Sequence, residues 1–179
     1  MTSFKYLNIE AVDRAGTYCE KYDSLKEYFG SSDLFPLWVA DMDLATPSFV
    51  VDAVKDRAAN PLYGYTKKYD EIFDAIKFWM NSEHGVILDK EHISLSPSVQ
   101  TTILNGIRGL SKKGDTVLIF SPVYGPFFSA VKNLERRVAD FPLDVINNRF
   151  EIDFNRLETV IKKDKPAILL FCSPHNPGG

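Results

Sequence analysis

Most of the usual signatures of a metal, disulfide or nucleotide protein are missing from this 179-residue sequence. Its two cysteines, Cys19 and Cys172, are too few for a disulfide framework or a cysteine metal quartet. Two thiols in a reducing compartment are expected instead. The three histidines are His84, His92 and His175. No spacing pairs His92 or His175 with another ligand or base, so both are expected in surface or structural roles. There is no G-x-G-x-x-G and no G-x-x-x-x-G-K-[ST], which argues against a doubly wound nucleotide-binding domain. Charge is balanced, with 21 basic and 24 acidic residues and a net charge of −3. No basic block stands out, so nucleic acid is not an expected partner. No apolar run approaches the ~20 residues of a membrane span. Residues 1–10 lack the apolar core of a signal peptide. The expectation is a soluble cytoplasmic protein with no membrane partner and no bound metal.

What is present is ordinary globular composition, 45% hydrophobic and 25% charged, long enough for one full domain. The first 34 residues are mixed and polar, with a turn at 13–17 and one short helix predicted over 22–29. Residues 34–43 run Leu-Phe-Pro-Leu-Trp-Val-Ala-Asp-Met-Asp, an apolar stretch with an embedded proline leading into two carboxylates. Proline argues against a central strand. The stretch reads either as a buried extended segment or as a loop placed at a site.

Thr46 as N-cap and Pro47 in the first turn predict a helix that ends at Asn60-Pro61. Its inward face would carry Phe49, Val50, Ala53, Val54 and Arg57. A second helix is predicted from Asp70 to about Glu83, with Ile72, Phe73, Ile76, Trp79 and Met80 as its apolar stripe and His84-Gly85 as its stop. Near residue 90 an aromatic-rich, irregular region gives way to regular alternation. Predicted strands at 93–95, 116–120, 137–141 and 167–171 are separated by helices over 98–112, 127–135 and 153–163. The helices would turn Val99, Ile103, Leu104, Ile107 and Leu110, and then Phe154, Leu157, Val160 and Ile161, inward. The fold class is therefore α/β, with a mostly parallel sheet and helices on both faces.

Three turns follow predicted strands: 96–102, 121–126 and 173–178. In a parallel sheet they share one edge, where ligands of open α/β sheets bind. The first turn leads into a helix whose N–H groups and dipole favour an anion, with Ser98, Thr101 and Thr102 as possible hydroxyl donors. Simple Ser-Pro capping explains the same residues. Tyr124, beside Gly125 and Pro126, could stack on a flat ligand or serve only as packing. Asn176 could donate its amide to a ring oxygen or act only as a turn residue. Together these describe a site for a flat, phosphorylated ligand.

Pro36–Asp43, Tyr63-Gly64-Tyr65, Ser96–Val99, Ser121–Tyr124 and Cys172–Gly179 occur in the order of a known pattern. By them the chain resembles the N-terminal half of a fold-type I pyridoxal-phosphate enzyme. It is most similar to the cystathionine β-lyase group of C–S lyases, related to class I and II aminotransferases. The Trp38–Asp43 stretch is the most discriminating part. The resemblance implies an aspartate-aminotransferase fold, here part of the large domain. It implies a segment 1–45 of arm and active-site loop, a segment 46–89 at the dimer interface and site entry, and the first part of the cofactor domain over 90–179. It implies pyridoxal 5′-phosphate as cofactor. Ser98, Val99 and Gln100 would hold its phosphate, Tyr124 would stack on its ring and act in catalysis, and Asn176 would bond its phenolic oxygen. Tyr65 would reach the cofactor of the partner subunit in a homodimer, and the Val39–Asp43 loop would lie near the substrate carboxylate.

The implied activity is β-elimination from a sulfur-containing amino acid, giving thiol, pyruvate and ammonia. Transamination on the same cofactor, and a non-catalytic chain that associates with a complementary one, are the alternatives. The family's Schiff-base lysine, ring-nitrogen aspartate and substrate-binding arginine follow the Asn-Pro-Gly turn. Lys162, Lys163 and Lys165 precede the last strand and do not fit the lysine's place. This chain alone is therefore expected to show no efficient turnover.

Overall fold

A computed structural model describes residues 11–67 and 69–178. Two compact units are formed, Met1–Lys68 and Tyr69–Gly179.

In the first unit the helix expected over 22–29 is two short ones, α1 (Glu20–Asp23) and α2 (Leu25–Phe29). The break is Ser24, at φ −94° and ψ 3°, outside the helical well. Gly30 closes α2 in the left-handed region, at φ 79°. Trp38 packs on Tyr28 and Phe29, with ring centroids 5.1 and 5.4 Å apart. The 34–43 stretch is not a buried extended segment: Pro36 is buried, but Phe35, Leu37 and Met42 are exposed. α3 runs over Ser48–Ala59. Its N-cap is Pro47, not Thr46, and no side chain caps it. Proline's fixed φ, here −52°, and its missing N–H suit a position that needs neither. Phe49, Val50, Ala53, Val54 and Arg57 do share a face, as expected, but that face is a broad open groove bordered by Tyr63 and not a packed core.

The second unit begins with α4 (Asp70–His84), closed by Gly85 at φ 65°. The N–H of Val86 bonds the Met80 carbonyl and that of Gly85 the Asn81 carbonyl, the expected glycine stop. α5 (Val99–Leu110) follows, then β1 (Thr116–Ser121), α6 (Pro126–Asn133) and β2 (Arg137–Pro142). Next come a hairpin of β3 (Asp144–Ile146) and β4 (Arg149–Glu151), α7 (Phe154–Asp164) and β5 (Ile168–Leu170). The sheet order is β2-β1-β5, all parallel.

Strand β1 is the centre, and it reads Val-Leu-Ile-Phe because both of its faces are covered. Side chains alternate along it. Val117 and Ile119 pack with Ile107 of α5 and with Phe127, Ala130 and Val131 of α6. Leu118 and Phe120 pack with Ala139 and Phe141 of β2 and with Leu157 and Val160 of α7. Each fully buried aliphatic here contributes roughly 1.5–3 kcal/mol over its exposed state. The chain steps from β1 to β2 on one side and crosses back to β5 on the other. Crossovers of one hand then place α6 and α7 on opposite faces.

Three expectations change. The segment 93–95 is extended, with Ile93 at φ −112° and ψ 119°, but pairs with no strand among the described residues. So short a strand has no stability without a ladder. The last strand, expected over 167–171, is shorter, Ile168–Leu170; among the described residues it pairs only with β1, and Leu169 is 53% exposed. The residues at the helix ends, Val99, Leu110, Phe154 and Ile161, are exposed, and the mid-helix ones carry the packing.

Candidate active site

Because β1 and β5 are parallel, the turns that leave them emerge on the same edge of the sheet. The two turns are joined directly. The Tyr124 N–H donates to the Asn176 carbonyl at 3.0 Å, and His175 Nε2 lies 2.6 Å from the Pro122 carbonyl. The turn before α5 is joined through a side chain, since Gln100 Nε2 donates to the Tyr124 hydroxyl at 3.2 Å. Residues 76 positions apart, Gln100 to Asn176, thus share one edge through Tyr124.

Ser98 is the N-cap of α5. Its hydroxyl accepts from the Thr101 N–H at 3.1 Å and lies 3.0 Å from the Thr101 hydroxyl. The Thr102 hydroxyl donates back to the Ser98 carbonyl at 3.3 Å. These three hydroxyls are engaged within their own turn, as short polar side chains at a helix start commonly are. The first-turn N–H groups of Val99 and Gln100 have no intrahelical acceptor by helix geometry. With the dipole behind them, they point a positive end toward the shared edge.

Tyr124 is 43% exposed, and its ring and that of Phe127 form a T-shaped pair at 6.1 Å and 83°. Asn176 is exposed beside it. The arrangement offers backbone donors to an anion, an aromatic face and a carboxamide, all on one rim. Tyr65 belongs to the other unit and is fully exposed.

The Val39–Asp43 loop carries a cluster that local spacing could not reveal, because its cations come from residues 14 and 21. Arg14 bonds Asp41 at 2.5 Å and Asp43 at 3.1 Å, and Lys21 Nζ bonds Asp43 at 2.7 Å. Lys21 is buried, and the Trp38 indole N–H donates to its carbonyl at 3.0 Å. Hydrogen bonding to Arg14 holds Asp41 below the usual carboxylate range, and bonding to Lys21 does the same for Asp43. Bonding to Asp41 and to Asp43 raises Arg14 and Lys21 in turn. The lowered acids contribute stability that is present above the unfolded carboxylate value of about 3.9 and is lost as pH falls through their lower folded values. The raised Lys21 contributes stability that is present below about 10.4 and is lost as pH rises through its higher folded value. Trp38 fluorescence in a Trp79→Phe background should therefore report constant thermal stability from about pH 5 to 10 and a fall at both ends. A profile unchanged by Asp43→Asn would show that the cluster does not support this unit.

Two other features also went unseen in the sequence. His175, expected in a surface or structural role, has a structural one whose partner local spacing did not indicate: it bridges two turns of the site. Phe150 of β4 sets its ring against His175 at 5.7 Å, which brings the hairpin to the same edge. Among the described residues no group of three His, Cys, Asp or Glu is placed to hold a metal ion, and no helix is long and apolar enough to cross a membrane.

Known proteins share this framework. Cystathionine β-lyase PatB of Bacillus subtilis is 35% identical over 93% of this chain and 43% of its own length. The pyridoxal-phosphate-bound C–S lyase of Staphylococcus hominis superposes with a TM-score of 0.87 at 29% identity, over 99% of this chain and 45% of that one. Cystalysin of Treponema denticola, which contains pyridoxal 5′-phosphate, gives 0.86 at 32% identity, over 97% and 45%. The chain thus spans less than half the length of these relatives. The family model for class I and II aminotransferases matches residues 32–179, and the chain belongs to that family.

Proposed function

We propose that this chain forms the phosphate- and ring-binding part of a pyridoxal-phosphate-dependent carbon–sulfur β-lyase. Its substrate is cystathionine or a related cysteine thioether, and its products are a thiol, pyruvate and ammonia. The observation that carries the reading is the joining of three turns on one sheet edge by the Gln100–Tyr124 and Tyr124–Asn176 bonds. The donor set fits the cofactor. The free N–H groups at the start of α5 suit its phosphate, the exposed Tyr124 face suits its ring, and the Asn176 amide suits its phenolic oxygen. Bound pyridoxal phosphate supplies the electron sink that makes loss of a Cα proton feasible.

In this reading Ser98 shapes the first turn, and Val99 and Gln100 hold the phosphate through their main chain. Gln100 also fixes the Tyr124 hydroxyl, and so the tilt of the ring that covers the ligand. The Val39–Asp43 loop lies near the substrate carboxylate. Arg14 and Lys21 neutralise its two acids, which removes the repulsion that free carboxylates would present to an anionic substrate. Tyr65, fully exposed, reaches the phosphate in the partner subunit of a homodimer. Segments 1–45, 46–89 and 90–179 then serve as active-site arm, subunit interface and cofactor domain.

The name of the matched family favours a second reading, transamination. Incubating a complete enzyme, in which this chain is joined by the Schiff-base lysine that the resemblance places after the Asn-Pro-Gly turn, with L-cystathionine, with and without a 2-oxo acid, separates the two. Pyruvate released without an acceptor is the expected result. Amine transfer that occurs only with the acceptor would replace the lyase reading. These 179 residues alone are expected to show neither reaction, and pyruvate released by them without a partner would overturn the third reading, a non-catalytic chain that acts only by association.

A further inference from the structure

We infer that His175 is a positioning residue that clamps the 121–126 turn to the 173–178 turn and so sets the distance between the Tyr124 ring and the Asn176 amide. The inference rests on the pyridoxal-phosphate reading above.

Two bonds join these turns. One is main chain to main chain, from the Tyr124 N–H to the Asn176 carbonyl at 3.0 Å. It forms whatever side chain stands at 175. The other runs from His175 Nε2 to the Pro122 carbonyl at 2.6 Å, across 53 positions of sequence. A carbonyl oxygen can only accept, so Nε2 carries the hydrogen and the imidazole is the donor. A single bond between two turns leaves them able to pivot. Two bonds, from adjacent residues 175 and 176 to residues 122 and 124, fix rotation as well as separation. Tyr124 and Asn176 sit on either side of that second bond.

The ring of His175 is itself held. It is half-buried, and Phe150 meets it at 5.7 Å and 69°, an edge-to-face pair. The Phe150 ring also lies where a Cβ on Gly178 would stand, so glycine at 178 leaves room for it. The hairpin of β3 and β4 thereby braces the third turn from behind. A His175 that served only for packing would need none of this directionality.

The test uses the purified protein titrated with pyridoxal phosphate. Binding is read from quenching of intrinsic fluorescence, and the environment of the ring from the absorption spectrum of the bound cofactor. His175→Leu keeps bulk and loses the donor. It should weaken binding about five- to tenfold, the usual net worth of one hydrogen bond, and shift the absorption maximum as Asn176 loses its register. In His175→Gln the side-chain amide reaches nearly as far as Nε2 and can donate to Pro122. This variant should bind within about threefold of wild type with the wild-type spectrum. If His175→Leu fails to fold by circular dichroism, His175→Asn takes its place. It is polar but too short, and the same weakening is expected.

The inference is overturned if the donor-less variant binds and absorbs like wild type, or if His175→Gln is impaired as much as His175→Leu. Failure of the wild-type protein itself to bind pyridoxal phosphate would overturn the cofactor reading first and the clamp with it, so the two failures are distinguishable.

Discussion

Replacing Tyr124 by alanine should weaken pyridoxal phosphate binding by about 5- to 150-fold, the range expected from losing one aromatic stacking partner worth roughly 1–3 kcal/mol. The ring has little other work. It is 43% exposed and contributes to neither core cluster, and among the described residues its one aromatic contact is the T-shaped pair with Phe127. Its hydroxyl has a separate task, accepting from Gln100 at 3.2 Å. Tyr124→Phe should therefore keep the stacking and lose only the tether, a change of about two- to tenfold. In a complete enzyme of the proposed kind it should also slow the lyase step, because an untethered ring covers the ligand less well. Equilibrium dialysis with pyridoxal phosphate gives both constants. Equal binding by wild type and Tyr124→Ala would remove Tyr124 from the site altogether. A Tyr124→Phe variant as impaired as Tyr124→Ala would mean that the hydroxyl dominates and the face does not.

The largest stability effect is expected at Phe141. Its side chain is 1% exposed and meets Phe120 edge to face at 5.5 Å. The Arg156 guanidinium lies over the ring at 4.6 Å while bonding the Pro142 carbonyl at 2.6 Å and Asp144 at 3.1 Å. One ring therefore joins β1, β2 and α7. Phe141→Ala leaves a cavity and a guanidinium without its aromatic partner, at a cost of about 3–5 kcal/mol. Against a total of about 5–15 kcal/mol for a typical domain, that brings the fold close to its limit. Phe154→Ala is the control: the same residue type at the start of α7 but 73% exposed, it should cost under about 0.5 kcal/mol. Urea unfolding followed by circular dichroism measures both. A Phe141→Ala loss below about 1 kcal/mol would show that the second core cluster is not what holds α7 to the sheet.

What could be read in the sequence was whatever repeats with a period. β1 shows as an unbroken apolar run because both its faces are buried, and α5 and α7 show as stripes because only one face is. The stripes misled at their ends. Val99 and Phe154 have the right spacing but sit in first turns that overhang the sheet. The β3–β4 hairpin went unread for a different reason. Its strands have three residues each, too short to show alternation, and its turn is Asn147-Asn148. Both asparagines lie at positive φ, 51° and 61°, which a two-residue hairpin loop requires and which asparagine tolerates better than most residues. Asn-Asn is a weaker hairpin signal than Asn-Gly.

Tyr124 and Asn176 stand out in the sequence as candidates because each lies on a turn marked by proline or glycine. The Gln100–Tyr124 tether and the His175–Pro122 bond join residues 24 and 53 positions apart, and no local pattern encodes such a meeting. The four-charge cluster of Arg14, Lys21, Asp41 and Asp43 is hidden in the same way. The acids were visible as a pair, but the cations that neutralise them stand 20 to 29 residues away.

The start of α5 offers an anion two peptide N–H groups, and peptide groups are common to nineteen of the twenty residue types. Apart from proline, no replacement at Val99 or Gln100 deletes the donor it stands on. Variation at these two positions is thus decoupled from phosphate capture as long as Ser98 still begins the helix. Their side chains are at liberty to take on other work, as Gln100 already does on Tyr124. In the proposed reading, a chain built this way can change how the ring is covered without first losing its hold on the phosphate.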